Sequence, residues 1–590
     1  MVTYKAPLDD MGFILDMLDY ERRVASLPGY EEATRDLAGS VLEEAARFCE
    51  EQLLPLNRSG DEEGCHIENG VVRTPKGFRD VYRTYCEAGW VGLSADPRYG
   101  GQGLPKVLNT AFGEILCATN LSFAIYPGLS RGAFDAIETW GSEELKSSYL
   151  PKLASGEWAA TMNLTEPQCG TDLGLIRSKA EPAGDGSYRV SGSKIFISGG
   201  DQDLSENIIH LVLAKLPDAP PGTRGISLFL VPKFLSNEDG SPGERNKVVC
   251  ASLESKMGIK AASTCAMHFE EATGWLLGEP HGGMKAMFTM MNEARLMVAM
   301  QGVGLAEAAY QSAVDYARDR LQGRSLGGPK APDRPADPII VHPDVRHHLM
   351  TMRALNEGCR ALALWVGIEA DVAARHPDPQ TRHAADDLVA LMTPICKAFF
   401  TDHGTDAANR GMQVMGGHGY IREWGMEQLV RDARIAQIYE GTNGIQALDL
   451  VGRKLGLGTG RLLRRFFHPL LAFIEQISSH EEMRDMAVLL AKATGRLQQA
   501  SATIAQRGLA DPEEAGAAAS DYLRLFALVA LGWMWARMVL ATAGRDDGFA
   551  RGKRQTATYY FTRILPESSA LFARIMSGKA AVMALADDAF

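Results

Sequence analysis

Residues 438–446 read IYEGTNGIQ and set one carboxylate, Glu440, behind an apolar pair and ahead of Gly441 and Thr442. Two chemistries suit an acid in that place. The bland one is local: the chain turns helical again in IQALDLVGRKL, Thr442 or Asn443 could cap that helix, and its dipole favours a nearby acid. The sharper one is proton abstraction, because a carboxylate shielded from water is a stronger base. A second stretch, MNLTEPQCGTDLGLIRSKA (162–180), places Thr165, Glu166 and Pro167 ahead of Gly170, Thr171 and Asp172. Small residues and hydroxyls of this kind offer donors to a phosphate or a heteroaromatic ring, and they also suit an ordinary turn.

Other chemistries lack their parts. GVGLAE (302–307) approaches a dinucleotide fingerprint, but it follows a helical run and Glu307 stands at the third glycine, so it predicts close helix packing. The chain contains no GxxxxGK[ST] loop and no GxSxG elbow. His342, His347 and His348 lie in VHPDVRHHLM without an HExxH motif or a cysteine partner, and no metal is predicted.

The elements that must position these residues change character along the chain. YEEATRDLAGSVLEEAARFCEEQLLPLN has apolar residues at three- and four-residue spacing, with Pro55 read as its end, and PKGFRDVYRTYCEAGWVGL continues in the same way. DPRYGGQGLP (96–105) reads as a loop, after which helical text resumes. GSYRVSGSKIFISGG, NIIHLVLAKL, RGISLFLVP and STCAMHFEEA are β-branched and aromatic runs parted by turn residues, which predicts strands. From Gly283 the helical period returns and persists to Leu455. GLGTG (456–460) reads as a linker, and a further helical segment, broken by a loop at LADPEEAGAAAS, runs to Phe590. The expected class is α+β, with an N-terminal helical domain and lead segment (1–160), a central β-barrel or sandwich (161–280), a C-terminal four-helix bundle (281–455) and an additional helical domain (456–590).

Composition narrows the partners. A net charge of −12 and a pI near 5.6 argue against a phosphate-backbone binder, so no nucleic acid is expected. Nine scattered cysteines without a CxxC pair predict reduced thiols of a cytoplasmic protein. The N-terminus shows no basic region leading into an apolar run, and ALADDAF carries no peroxisomal address. LFALVALGWMWA (525–536) is too short to span a bilayer and predicts a buried helix, with no integral membrane association. The methionines of MKAMFTMMNEARLMVAM would fill a core in preference to forming an adaptable pocket wall.

Taken together, five stretches resemble the acyl-CoA dehydrogenase flavoprotein family in family order. LTEPQCGTD is similar to its flavin loop, SGSKIFISGG to the strand that follows, SKMGIKAASTC to its K-M-G segment, and NEARLMVAMQGVGLAEAAYQSAVDYARDR to the helix crossing the CoA pocket. QVMGGHGYIREWGMEQLVRDARIAQIYEGTNGIQ resembles the most specific stretch, GG[HAN]G[YF], R-D-[AS]-[RK] and I-[YF]-E-G-T. The resemblance implies FAD and a base, Glu440, that takes the α-proton of an acyl-CoA thioester while the β-hydrogen leaves as hydride to the flavin, giving a trans-2-enoyl-CoA. It also implies that the main-chain N–H of Glu440 and a flavin ribityl hydroxyl stabilise the enolate oxygen. One branch of the family puts the base immediately before Arg295; Ala294 stands there, and Glu293 is one helical residue too early.

By the same resemblance, Met162, Leu164, Thr165, Gly170 and Thr171 touch the flavin, as do Phe196, Ile197 and Ser198, with Ser198 near N5. Arg320 matches an arginine sent to the FAD diphosphate by a neighbouring subunit, Gln413, Gly416 and Gly417 match a cradle for the adenosine, and Thr442 and Gly444 contribute again. Thr171, Asn292, Arg295 and Gly441 match substrate contacts. Two departures, LQGR after Arg320 and VHPDVR at 341–346, fall where family subunits exchange flavin contacts. The added N- and C-terminal pieces resemble the long bacterial subgroup that includes 3-methylmercaptopropionyl-CoA dehydrogenases and broad-range fatty acyl-CoA enzymes of β-oxidation. That implies a homodimer passing electrons to an electron-transfer flavoprotein. The alternatives are an acyl-CoA oxidase using O₂ and a non-catalytic flavin- or CoA-binding scaffold.

Overall fold

The computed structural model describes residues 2–237 and 239–590. The chain separates into two compact units: Met1–Ala46, Pro105–Ala118 and Val298–Phe590 form one, and Arg47–Leu104 with Thr119–Met297 form the other.

The second unit contains the strands. β1 (His66–Glu68) and β2 (Val71–Arg73) make a small hairpin. β3 (Trp158–Asn163), β4 (Lys179–Pro182), β5 (Tyr188–Ser198), β6 (Asn207–Lys215) and β7 (Ile226–Pro232) lead to a second small pair, β8 (Phe234–Ser236) with β9 (Pro242–Arg245). β10 (Val248–Leu253) and β11 (Thr264–Leu277) complete the main sheet, ordered β10-β11-β5-β4-β6-β3, with β7 bonded to both β6 and β11. The ring β11-β5-β4-β6-β7 therefore closes on itself, which satisfies strand edges as a barrel does.

The runs NIIHLVLAK and ISLFLVP are apolar without alternation because β6 and β7 are covered on both faces. Val212, Ala214, Phe229 and Val231 pack with Val190, Ile197 and Met267 in one cluster. Ile209, Leu211, Leu213, Leu228 and Leu230 pack in another with Ile137, Leu150, Met287 and Met290. Met287 and Met290 are thus core residues, as the sequence predicts.

The first unit is helical. In the Gly283–Asp319 helix, a Cβ at Gly302 would fall 2.2 Å from the Phe400 carbonyl oxygen, and one at Gly304 would fall 2.6 Å from that of Glu114. GVGLAE is accordingly a packing motif, with the Pro379–Met415 and Lys106–Trp140 helices lying too close for side chains at those two points.

Three local expectations are corrected. Pro55 does not end the early helical run; it sits in the first turn of the Leu54–Glu63 helix, where a missing N–H costs nothing. LADPEEAGAAAS is not a loop. Asp511 accepts a hydrogen bond from Glu513 N–H at 3.0 Å, Pro512 occupies the first turn, and a helix runs Pro512–Ala541. That helix, 30 residues with LFALVALGWMWA inside it, is long and apolar enough to cross a membrane, and 83% of its most apolar window is buried within the protein. The predicted burial holds; the predicted shortness does not.

Candidate active site

In the helical unit, Glu440 lies on the turn between a short 3₁₀ segment, Ile435–Gln437, and the Asn443–Asp449 helix. Its φ is +56°, and Gly441 follows at +84°. Two consecutive left-handed residues, one of them not glycine, hold only where neighbours impose them. The Lys397 ammonium donates to the Gly441 carbonyl (2.8 Å) and to Asn443 Oδ1 (2.9 Å). Gln446 Nε2 donates to the Glu440 carbonyl at 3.1 Å and the Gly441 carbonyl at 3.3 Å. Asn443 Nδ2 and Gln437 Nε2 both donate to Asp402 Oδ1, at 2.7 and 2.6 Å. The Tyr439 hydroxyl donates to Gln301, and burial pushes its pKa up, so it stays a neutral donor. The helix cap is Thr442, whose Oγ accepts from Ile445 N–H at 3.3 Å; Asn443 is committed inward. Glu440 itself is half-buried.

In the strand unit, the loop of residues 162–171 is sewn to β5. Glu166 is 3% exposed and accepts from Lys194 Nζ (2.9 Å), Ser178 Oγ (2.6 Å) and the Arg177 N–H (2.7 Å). Burial pushes its carboxyl up, but the Lys194 charge and these donors more than offset that and hold it at about 2. Burial lowers the Lys194 pKa, against the pull of Glu166; neutralising either partner would leave the other as an unpaired buried charge. Lys194 also donates to the Leu164 carbonyl at 3.0 Å, and Ile195 N–H donates to that of Thr165 at 3.0 Å. At this seam the β5–β11 register slips by one residue, and Phe196 sits in the slip with φ +60° and 60% of its surface exposed. The loop and Phe196–Ser198 are thereby brought together, although the Ile197 side chain points into the β core.

The loop and the end of β5 fit a flavin's demand for donors. The hydroxyls of Thr165, Thr171 and Ser198 have no hydrogen-bond partner among the described residues. In the helical unit Gln413, Gly416 and Gly417 are exposed where the Pro379–Met415 helix ends, and nothing approaches within 4 Å of a Cβ at either glycine. Gly444 is exposed on the first turn after the Thr442 cap. Arg320 is exposed just past Asp319. Asn292 is exposed, and the Arg295 guanidinium lies over Phe288 at 5.8 Å. Glu293 faces Arg131 at 3.6 Å. His342, His347 and His348 go to three different partners, the Gln322 carbonyl, Tyr559 and Arg410.

Sequence reading passed over the groups that hold these turns: Glu166 with Lys194, and Lys397 with Gln446 and Asp402. The one signal available was a lone lysine at the head of one apolar run, KIFIS, and another inside PICKAFF.

Comparison with known proteins follows the same lines. Residues 38–157, 161–272 and 281–455 match the N-terminal, middle and C-terminal domains of acyl-CoA dehydrogenase, and 466–586 match an acetyl-CoA dehydrogenase C-terminal-like domain. The chain is 43% identical to 3-methylmercaptopropionyl-CoA dehydrogenase of Ruegeria pomeroyi, over 97% of this chain and 98% of that one. It is 33% identical to a broad-specificity linear acyl-CoA dehydrogenase of Mycobacterium tuberculosis, over 90% of each. An acyl-CoA dehydrogenase from Bacillus anthracis, solved as a complex with FAD, shares the fold with a TM-score of 0.76 at 21% identity, covering 100% of this chain and 94% of that one.

Proposed function

Because this chain belongs to the acyl-CoA dehydrogenase family, whose members are flavin-dependent oxidoreductases using FAD, we propose that it desaturates an acyl-CoA thioester between the α and β carbons, with Glu440 as the base. The observation that carries this is the Glu440 turn: a carboxylate residue held at φ +56° while Lys397 and Gln446 occupy the carbonyls on either side of the peptide that follows it. A carboxylate fixed in this way takes the α-proton without first reorganising its own loop. FAD, when bound, supplies the two-electron acceptor for the β-hydride. Thr165, Thr171 and Ser198, with the main chain of Met162, Leu164, Gly170, Phe196 and Ile197, would hold its flavin; by the family resemblance Arg320 of a neighbouring subunit would reach the diphosphate, Gln413, Gly416 and Gly417 would cradle the adenosine, and Thr442 and Gly444 would contribute again. Asn292, Arg295, Thr171 and Gly441 would line the thioester. The Glu440 N–H would polarise the thioester oxygen, so that negative charge developing there as the proton leaves meets a donor already in place.

The substrate we propose is 3-methylmercaptopropionyl-CoA, on the strength of the Ruegeria pomeroyi relative that matches almost end to end; linear fatty acyl-CoAs are the second reading, favoured by the Mycobacterium tuberculosis relative. The reading further has the enzyme cytoplasmic, homodimeric and passing its electrons to an electron-transfer flavoprotein. Anaerobic titration of the FAD-loaded protein with acyl-CoAs from butyryl to palmitoyl, and with 3-methylmercaptopropionyl-CoA, tests it. The last should bleach the flavin band fastest. Glu440→Gln should keep thioester binding and lose bleaching by several orders of magnitude; retained turnover would end the assignment. Sedimentation as a tetramer at every concentration would end the dimer.

A further inference from the structure

Residues 2–6 form a strap along the Gly283–Asp319 helix. The Thr3 N–H donates to Ser312 Oγ (3.0 Å) and the Thr3 hydroxyl to Asp315 Oδ2 (2.8 Å). The Lys5 N–H donates to Gln311 Oε1, and Gln311 Nε2 donates back to the Lys5 carbonyl, both at 2.8 Å. The strap's start lies against a second feature. A Cβ on Gly425 would fall 2.9 Å from Val2 Cγ2, and Gly425 holds φ +78°, so glycine is required there on both counts.

Gly425 directly follows Trp424, whose ring lies flat on His418, with centroids 4.6 Å apart and planes 8° from parallel. Tyr316 closes the group: its hydroxyl bonds His418 Nδ1 at 2.9 Å, and its ring meets Trp424 edge-on at 5.4 Å. His418 is the middle residue of the turn Gly416–Tyr420. One short stretch of helix, Gln311 to Tyr316, thus holds the strap with three side chains and the aromatic group with a fourth. Neither connection is used by the proton-transfer chemistry.

We propose that the strap positions the Gly416–Tyr420 turn, and through it sets the affinity for FAD; this rests on the reading above that Gly416 and Gly417 touch that cofactor. The physical reason is preorganisation. Among the described residues nothing packs within 4 Å of a Cβ at Gly416 or Gly417, so a turn built on them is stiff only if its His418 and Trp424 flank is held. With the strap bonded, Val2 backs Gly425 and the aromatic group has one arrangement. Without it, ordering the turn must be paid from cofactor binding.

The test is FAD titration of apoprotein, read by flavin fluorescence, on Thr3→Val, Thr3→Ser, a variant lacking residues 2–6, and Gly417→Val. Thr3→Val and the deletion should raise the FAD Kd, the deletion by about tenfold, with turnover at saturating FAD unchanged. Thr3→Ser keeps the hydroxyl on Asp315 and should bind as the parent does. Gly417→Val alters the turn itself and should weaken FAD binding outright. If Gly417→Val weakens binding while both strap variants bind normally, the strap has no such role and the assignment of the turn stands. If Gly417→Val binds normally, the turn does not touch FAD and the inference falls with that reading.

Discussion

Glu440 and Phe196 share an unusual backbone, and each turn is fixed by a fully buried lysine, yet the two lysines end on different groups. Lys397, beneath the Glu440 turn, reaches a peptide carbonyl and an amide oxygen. Lys194, beneath the Phe196 slip, reaches a carboxylate and a peptide carbonyl. The first arrangement fixes shape: it draws the Gly441 carbonyl inward and so determines which way the preceding residue faces. The second fixes attachment, because separating Glu166 from Lys194 would strand a buried charge, and the loop cannot leave the strand without doing so. On the proposed roles, the base is given orientation and the cofactor loop a seam.

Lys194→Met should therefore show the largest loss of stability. Glu166 would remain buried as a carboxylate without its cation, at a cost of about 3–5 kcal/mol, read as a lowered midpoint in urea unfolding, together with loss of FAD. Lys194→Met combined with Glu166→Gln should recover much of that loss, since the stranded charge goes with its partner. A single variant that melts like the parent would break the comparison at its stronger end.

Lys397→Met should be the mirror image. Gln446 Nε2 still donates to the Gly441 carbonyl and the Thr401 hydroxyl to Asn443 Oδ1, both at 3.3 Å, so the loss of stability should stay near about 1 kcal/mol; the larger consequence should be kinetic, since a misplaced base can cost about 100-fold in rate. Stopped-flow flavin bleaching by the preferred thioester should slow far more than unfolding free energy falls. If Lys397→Met lost stability and kept its bleaching rate, shape would not be what that lysine provides.

Acid and base should separate the two units as well. Glu166, held at about 2 against an ordinary value of 4.5, contributes stability that is present above pH 4.5 and lost as pH falls toward 2. The helical unit contains the opposite case. Arg360 binds three carboxylates, Asp10 at 2.6 Å, Glu114 at 2.9 Å and Glu307 at 2.9 Å, while Lys553 joins Asp10 and Glu357. Burial there pushes the Glu114 carboxyl up to about 7, despite Arg360. A raised carboxyl favours the folded state below pH 4.5 and gives that up as pH rises through 7. The melting temperature should decline from pH 4.5 to pH 7 through this group, and Glu114→Gln should flatten that decline. A parent curve flat over this interval would show that the helical unit has no such carboxyl.

The contrast also marks what was legible in the sequence. Glu440 and the 162–171 loop could be proposed as base and flavin loop because each lies in contiguous residues, and the helices and strands were readable because burial leaves a period of 3.6 or an unbroken apolar run. Lys194 with Glu166, and Lys397 with Gly441, were not. Each joins residues 28 or 44 apart along the chain, and which ones meet depends on a one-residue slip in β5 or on where a helix ends. The misread Asp511–Pro512 has the same origin: the pair suits a loop and a helix start equally, and the buried face of Pro512–Ala541 decides between them.

The smallest expected effect falls on Thr442, where the helix cap and the proposed flavin contact meet in one residue. Its Oγ caps the Asn443–Asp449 helix through Ile445 N–H, and truncation of such a cap costs about 1 kcal/mol. Thr442→Ser retains the oxygen and should retain both stability and rate. Thr442→Ala should lose the cap and loosen the turn from its far side, while Lys397 still holds the Gly441 carbonyl. A modest fall in stability with a rate within a few-fold of the parent would show that Lys397 and Gln446 orient Glu440 without the cap. A loss of rate as large as that of Lys397→Met would mean that the turn is held from both ends, and the division between shape and attachment would have to be redrawn to include the cap.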